Sequence, residues 1–194
     1  MFGLRGSHIN SFENKNADPG VAIYPMWFSQ DASYSIKEEL LGSAIFVPPG
    51  FEHGNDGKTP VILVPGTGTY GGEALENNFA KLLKASPFAD PIWLNIPGRM
   101  CNEASKNAEY VAYAVSCISS TTGKMVAVVA WSQGNLSTQW TLKYRPGTRD
   151  QVIKFICLSA DFRGTVNAWG LCPFKGTSQA HLPPRIRHGT PTSS

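Results

Sequence analysis

The chain has 194 residues, of which 42% are apolar and 16% charged, enough for one domain with a sizeable core. Aromatic residues make up 11% of the sequence, which excludes an intrinsically disordered chain. The net charge is +3, but all 14 acidic side chains precede residue 162, whereas four of the 17 basic ones follow it. The positive charge therefore belongs to the C-terminal segment, and we expect no nucleic-acid partner.

Targeting signals and metal-binding patterns are not found in the sequence. No run approaches the ~20 apolar residues of a membrane span, and the N-terminus lacks the apolar region of a secretory signal. We therefore expect no transmembrane segment, and the sequence leaves the localisation unknown. The four cysteines, at 101, 117, 157 and 172, leave disulfide pairing open. Cys117 and Cys157 lie in apolar runs, so we expect both to be buried, and no metal site is expected.

Strands and helices alternate through the middle of the chain. A capping box from Ser35 to Glu38 predicts a helical turn over 35–41. Apolar runs and helical periodicity predict strands over 43–47, 60–64, 91–95, 124–130 and 152–158, and helices over 73–84, 104–120 and 133–144. This alternation predicts an α/β fold, a mostly parallel sheet with helices on both faces in which the last strand is buried.

Three regions follow from this pattern. Residues 1–41 form an N-terminal extension, residues 42–166 form the α/β core, and residues 167–194 form a basic tail rich in Pro, Ser and Thr. The tail has too few large apolar side chains to offset the entropy of ordering it, so we expect it to be disordered.

The segment from Ala130 to Gly134 carries the strongest catalytic signal, because it reads Ala-Trp-Ser-Gln-Gly where the most continuous strand meets a helix. A G-x-S-x-G sequence in this position forms a nucleophile elbow, which exposes the Ser hydroxyl and directs the next amide at an oxyanion. We therefore predict Ser132 as a nucleophile and the amide of Gln133 as an oxyanion donor. The alternative is that Ser132 only caps the helix.

A glycine-rich loop with Gly66, Gly68 and Gly71 follows an earlier buried strand and precedes a helix. In an α/β-hydrolase the second oxyanion donor comes from this loop, and Thr67 could donate both its amide and its hydroxyl. The same glycines match G-x-G-x-x-G, so a nucleotide-binding α/β domain is an alternative. That fingerprint requires an acid at the end of the next strand, where this sequence has Asn95.

Three separated segments resemble the Candida antarctica lipase B family of fungal α/β-hydrolases. They are Pro60–Thr69, Trp131–Gly134 and Ala160–Val166. They occur in the family's order and at similar separations, so the resemblance covers about residues 42–166. It implies a lipase or carboxylesterase that acts on lipid or small esters without a cofactor. The family is typically secreted, and the oligomeric state stays open.

The resemblance also implies roles for individual residues. Ser132 would be the nucleophile, Thr67 and Gln133 would form the oxyanion hole, and Asp161 and Thr165 would line the acyl-binding side of the pocket.

The catalytic Asp and His of the family lie beyond the similar part, and their motifs are not found in the rest of this sequence. We therefore expect a C-terminally truncated hydrolase with an incomplete triad. A makeshift triad would use Asp161 as the acid and His181 or His188 as the base. A base must be held rigidly near the hydroxyl, which a Pro-rich tail does not provide. A non-catalytic, hydrolase-like scaffold is the alternative.

Overall fold

The structure is a computed structural model that describes residues 8–163. Five strands form one sheet in the order β1-β3-β2-β4-β5. Strands β2 to β5 run parallel to one another, and the short β1 pairs antiparallel with β3. The strands are β1 (Ile45–Phe46), β2 (Thr59–Val64), β3 (Ala89–Leu94), β4 (Val126–Trp131) and β5 (Val152–Leu158).

Five α-helices connect or flank these strands. A π-helical segment, Glu76–Ala80, joins the second helix to the third. No helix in residues 8–163 combines the length and the apolar character that crossing a membrane requires. The helices are α1 (Glu38–Ser43), α2 (Gly71–Leu75), α3 (Lys81–Lys84), α4 (Ala104–Thr122) and α5 (Gln133–Tyr144).

Helices cover both faces of the sheet, as the sequence predicts. Val111, Val115 and Ile118 of α4 are buried in the larger core cluster, on one face. Leu75 of α2 is buried in a second cluster with Trp93 and other side chains of the opposite face. The mostly parallel α/β architecture is therefore confirmed.

The helix expected over 73–84 is not continuous, because the π-helical segment interrupts it. Leu75 is buried as predicted, but Phe79 and Leu82 are 36% and 68% exposed. Hydrogen bonds to the fifth residue widen a helical turn and rotate the residues that follow. Phe79 and Leu82 therefore leave the buried face, whereas Ala80 and Leu83 still pack in or against the second core cluster.

Strand β5 has the predicted bounds but not the predicted burial. It forms one edge of the sheet, and no described residue pairs with the side away from β4. Ile153 and Ile156 are 59% and 42% exposed. The expectation for Cys157 is also wrong, since this thiol is exposed, whereas Cys117 is buried. A mostly apolar strand can therefore lie at the edge of the sheet with several side chains uncovered by the described residues.

Ser35 does not form the predicted capping box. Its backbone N–H and hydroxyl both donate to the carboxylate of Glu109 in α4, at 2.7 and 2.6 Å. Helix α1 begins later, with Lys37 as its N-cap residue. A distant carboxylate therefore takes the place of the local partner that the sequence pattern indicates.

The residues before α1 pack against the core, and Ile23 is fully buried. Asp31 accepts hydrogen bonds from the backbone N–H of Phe28 at 3.0 Å and of Gly147 at 2.8 Å. The guanidinium of Arg145 lies 4.1 Å from the ring centre of Tyr34 and donates to backbone carbonyls beside it. These contacts fix the N-terminal segment to the end of α5.

Candidate active site

The two predicted catalytic loops lie next to each other at one end of the sheet. Val64 and Ala130 are paired in the parallel ladder of β2 and β4, so both chains leave the sheet at the same edge. A Cβ on Gly66 would lie 3.0 Å from the Cβ of Ser132 and 3.0 Å from the ring of Trp131. The close approach of the Gly66 backbone to Ser132 therefore favours a glycine.

Ser132 occupies a strained turn between β4 and α5. Its backbone angles are φ 50° and ψ −121°, a region that side chains other than glycine rarely adopt and that costs about 1–3 kcal/mol. Its side chain makes no capping hydrogen bond with the helix, so the reading of Ser132 as a simple N-cap is wrong. Strained strand-to-helix geometry is what a nucleophile elbow requires.

Gly134, two residues after Ser132, allows the elbow to close. A Cβ at this position would lie 2.7 Å from the carbonyl oxygen of Pro65 and 2.8 Å from that of Val64. Both are backbone atoms, which cannot move aside as a flexible side chain could. The small residue predicted at this position is therefore required by the contact between α5 and the end of β2.

Asn135 is a residue of the elbow that the sequence did not single out for this role. Its Nδ2 donates to the carbonyl oxygens of Ser132 and Leu158, at 2.9 and 3.0 Å. The backbone N–H of Ser132 also donates to Leu158, at 3.0 Å. Because Asn135 is fully buried, it fixes the turn to the end of β5. An amide side chain three residues after the Ser is the signal that could have revealed it.

The backbone amides of Thr67 and Gln133 have no acceptor among the described residues. The side chains of these two residues contact each other, since Thr67 Oγ1 donates to Gln133 Oε1 at 2.5 Å. Gln133 is the first residue of α5, where unpaired N–H groups and the helix dipole favour negative charge. The arrangement can therefore stabilise an anion close to Ser132.

Asp161 lies on the loop after β5 and is half-buried. Leu158, the last residue of β5, pairs with Trp131, so this loop leaves the sheet beside the elbow. Thr165, His181 and His188 lie outside the described residues. The structure therefore brings Ser132, Thr67 and Gln133 together and places Asp161 on the adjacent loop.

The two histidines in the described part of the chain are both remote from Ser132. His8 packs against Phe46 with ring centres 5.5 Å apart, and β1 is three strand spacings, or about 14 Å, from β4. His53 precedes β2 and packs against Phe51, at the opposite end of the sheet from Thr67. Neither lies within proton-transfer distance of the Ser132 hydroxyl.

The geometry of the glycine-rich loop removes the support for a dinucleotide site. A pyrophosphate would need free amides at the start of α2. Here Glu73 Oε1 accepts from the N–H of Tyr70 at 3.0 Å, and Asn95 Oδ1 accepts from Gly72 at 3.2 Å. Asn10 Oδ1 accepts from the N–H of Glu73 at 2.8 Å. The helix start is thus occupied by the protein's own acceptors.

No family model matches the chain. The chain is 34% identical to Lipase B of Pseudozyma antarctica over 110 residues, 56% of this chain and 32% of that protein. It is 51% identical to Aspergillus fumigatus lipase B in its crystal structure, with a TM-score of 0.79, covering 82% of this chain and 38% of the other.

Another solved structure is a more distant match. The mature Bacillus licheniformis lipase BlEst2 is 21% identical, with a TM-score of 0.52 over 62% of this chain and 48% of that one, which shows a shared fold alone. The chain spans about a third of the length of the two fungal lipases.

Proposed function

We propose, for a chain that is lipase B-like in sequence and an α/β-hydrolase in fold, that Ser132 is the nucleophile of an ester hydrolase acting on lipid or small carboxylic esters. The observation that supports this most directly is the strained conformation of Ser132, whose hydroxyl takes no part in capping α5. Strain of this kind is retained where the surrounding contacts hold it, which is common at active sites.

The chemistry follows from the groups around Ser132. Its Oγ attacks the ester carbonyl carbon, the carbonyl oxygen becomes negative, and the backbone N–H groups of Thr67 and Gln133 donate to it. One such donor contributes about 10²–10³-fold to the rate in oxyanion holes of this kind. Collapse of the adduct breaks the bond to the alcohol oxygen, which takes up the proton lost from Ser132 Oγ and leaves as the alcohol. The acyl group remains on Ser132, and water then hydrolyses it to the carboxylic acid.

The acyl-binding side is proposed to include Asp161 and Thr165. Asp161 is half-buried beside the elbow, where it can contact the acyl chain of an ester held by Ser132. Replacing Asp161 with Ala is expected to change the preference for acyl length in a series of p-nitrophenyl esters. Thr165 is carried over from the resemblance.

The general base is the part of the triad that residues 8–163 do not supply. His181 and His188 are the candidates outside this range, with Asp161 as the acid. Without a base, the oxyanion hole and binding alone leave about 10³–10⁴-fold acceleration over water. We therefore propose slow acyl transfer to Ser132 in this chain.

Labelling with a fluorophosphonate, read by intact mass, tests the nucleophile directly. We expect a single adduct on the purified chain that Ser132→Ala abolishes. Ser137→Ala is the matched control, because this buried hydroxyl on the same helix has no partner in the described structure. An unlabelled chain, or an adduct that persists in Ser132→Ala, would contradict the proposal and favour the non-catalytic scaffold.

Hydrolysis of a short-chain p-nitrophenyl ester tests the base. If no histidine is held at Ser132, millimolar imidazole should raise the rate of the wild-type chain, and His181→Ala and His188→Ala should leave it unchanged. A fast reaction that His181→Ala or His188→Ala abolishes would instead assign the base to that residue.

A further inference from the structure

The side chains of Thr67 and Gln133 are joined by one hydrogen bond, and the amide nitrogen of Gln133 has no partner among the described residues. Thr67 Oγ1 donates to Gln133 Oε1 at 2.5 Å. Gln133 is 4% exposed, and its Nε2 is buried without a partner in the described part of the chain. An unpaired buried donor costs about 1–3 kcal/mol, so this orientation of the carboxamide is held by only one of its hydrogen-bonding atoms.

Rotation of the Gln133 carboxamide by half a turn exchanges its oxygen and nitrogen in place. This terminal torsion is broad and nearly two-fold, so both orientations are accessible. In the rotated state Nε2 donates to Thr67 Oγ1, and the hydroxyl proton of Thr67 is released from Gln133. The two states differ in the direction in which this proton points.

The rotated state suits an oxyanion. Thr67 can then donate its hydroxyl proton to the negative oxygen while Oγ1 accepts from Gln133, and a chain of hydrogen bonds ending on a charge strengthens each member. In the state with Thr67 donating to Oε1, the hydroxyl presents only lone pairs to the anion. Developing charge beside Ser132 therefore favours the rotated carboxamide.

We propose that the side chain of Gln133 is a positioning residue that sets the direction of the Thr67 hydroxyl proton, in addition to the oxyanion contact of its backbone N–H. This inference rests on the proposed function, because it concerns the same oxyanion. Gln133 acts through Thr67 and does not need to touch the substrate with its side chain.

Variants at both positions isolate this effect, since all of them keep the backbone amides. Thr67→Val removes the hydroxyl and Gln133→Met removes the carboxamide. Gln133→Glu supplies only acceptors and holds the Thr67 proton on its carboxylate. Gln139→Met is the matched control, an exposed glutamine on the same helix, and Thr67→Ser keeps a hydroxyl.

The rate of fluorophosphonate labelling at Ser132 is the first readout. We expect Thr67→Val to lower it about 100-fold, the effect of one lost oxyanion donor, and Gln133→Met to lower it about tenfold. Thr67→Ser should recover most of the rate, and Gln133→Glu should be at least as slow as Gln133→Met. In the Thr67→Val background, Gln133→Met should have no further effect, because its only route of action is gone.

A full tenfold loss from Gln133→Met in the Thr67→Val background would overturn the inference, since Gln133 would then act independently of Thr67. Loss of rate in Gln139→Met would also count against it, because the effect would be a general one on α5.

NMR of the Gln133 side-chain amide reads the same pair without any reaction. We expect Thr67→Val to shift the Nε2 proton signals, and unchanged signals would overturn the inference. If the wild-type chain is not labelled at Ser132, the proposed function fails. The pair is then judged by this shift alone, which supports the carboxamide contact if present and refutes it if absent.

Discussion

Asn135 anchors Ser132 from inside the protein, with Nδ2 2.9 Å from the serine's carbonyl oxygen. The same nitrogen reaches Leu158 at the end of β5, so one buried amide joins the nucleophile turn to the neighbouring strand. The position of the Ser132 hydroxyl therefore depends on the two hydrogen bonds that Asn135 donates to the backbone.

Asn135→Asp tests the two hydrogen bonds that Asn135 donates, because it removes the donor and keeps the size of the side chain. The carboxylate has the same shape but no donor, and it would face two carbonyl oxygens. We expect unfolding in urea to show a loss of about 1–3 kcal/mol, together with slower labelling of Ser132. Gln139→Glu, the equivalent amide-to-acid change at an exposed position of α5, should have little effect. Equal stability of Asn135→Asp and wild type would refute this role.

Gly134→Ala tests the close contact between α5 and the end of β2. The new Cβ meets backbone carbonyls at less than 3 Å, so the helix must move. We expect a loss of about 1–3 kcal/mol, typical of overpacking in a core, measured as a lower urea midpoint at unchanged m-value. Gly42→Ala is the control, because its Cβ would meet only Tyr113 at an ordinary 3.6 Å. Equal losses of stability in Gly134→Ala and Gly42→Ala would show that the close contact at Gly134 is not the cause.

Stability should fall at alkaline pH because neutral phenols and a thiol are buried. Burial raises the pKa of Tyr34 and of Tyr113 above the ordinary value, and it raises the pKa of Cys117 to about 11. These groups ionise first in the unfolded chain, so their stabilising effect is complete below the unfolded pKa and is lost as the pH rises above it. For a tyrosine this loss begins near pH 10 and reaches about 1.4 kcal/mol per pH unit.

Tyr34→Phe should therefore make the unfolding free energy decline less steeply above about pH 10, because one ionising phenol is removed. Tyr144→Phe, at a 43% exposed position, should leave the decline as in wild type. The measurement is urea unfolding at a series of pH values. Parallel curves for Tyr34→Phe and wild type would rule out Tyr34 as a source of the pH dependence.

No residue in the range 8–163 pairs with the outer side of β5, and this edge should promote self-association. Ile153 lies on this edge and is 59% exposed, and unpaired backbone groups on an apolar edge strand are a template for another chain. We expect the wild type to form concentration-dependent oligomers in light scattering, and Ile153→Lys to shift them toward monomer. Leu82→Lys, an exposed position on α3 away from the edge, should not. A monodisperse wild-type monomer with a sharp cooperative melt would contradict this expectation.

Local sequence patterns predicted the elements around the site closely. Helix α5 and strand β5 have the predicted bounds. The helix lies between Ser132 and the helix-breaking Pro146, and the strand is a short apolar run, so the ends of both are clear from the sequence. Ser132 lies at the predicted junction between β4 and α5, and Gly134 makes the close contact that its size suggested.

The errors concern partners that are distant in sequence. Glu109 takes the hydrogen bonds of Ser35 from 74 residues away. The exposure of Ile153 depends on whether another element covers β5. The spacing of apolar residues shows which side chains of a segment can be buried. Which distant residues contact that segment depends on the tertiary structure.

The contacts of the N-terminal segment have a consequence for the order of folding during synthesis. Asp31 and Tyr34 are made early, but their partners Gly147 and Arg145 leave the ribosome more than a hundred residues later. Until then this segment has nothing to bind at that end, because such long-range contacts form only when both ends are available. The start of the segment can be fixed earlier, since Asn14 donates to Ser43 and Trp93 donates to Ile9. Asp31 and Tyr34 are fixed only after the end of α5 has been made, so the two ends of this segment dock at different times.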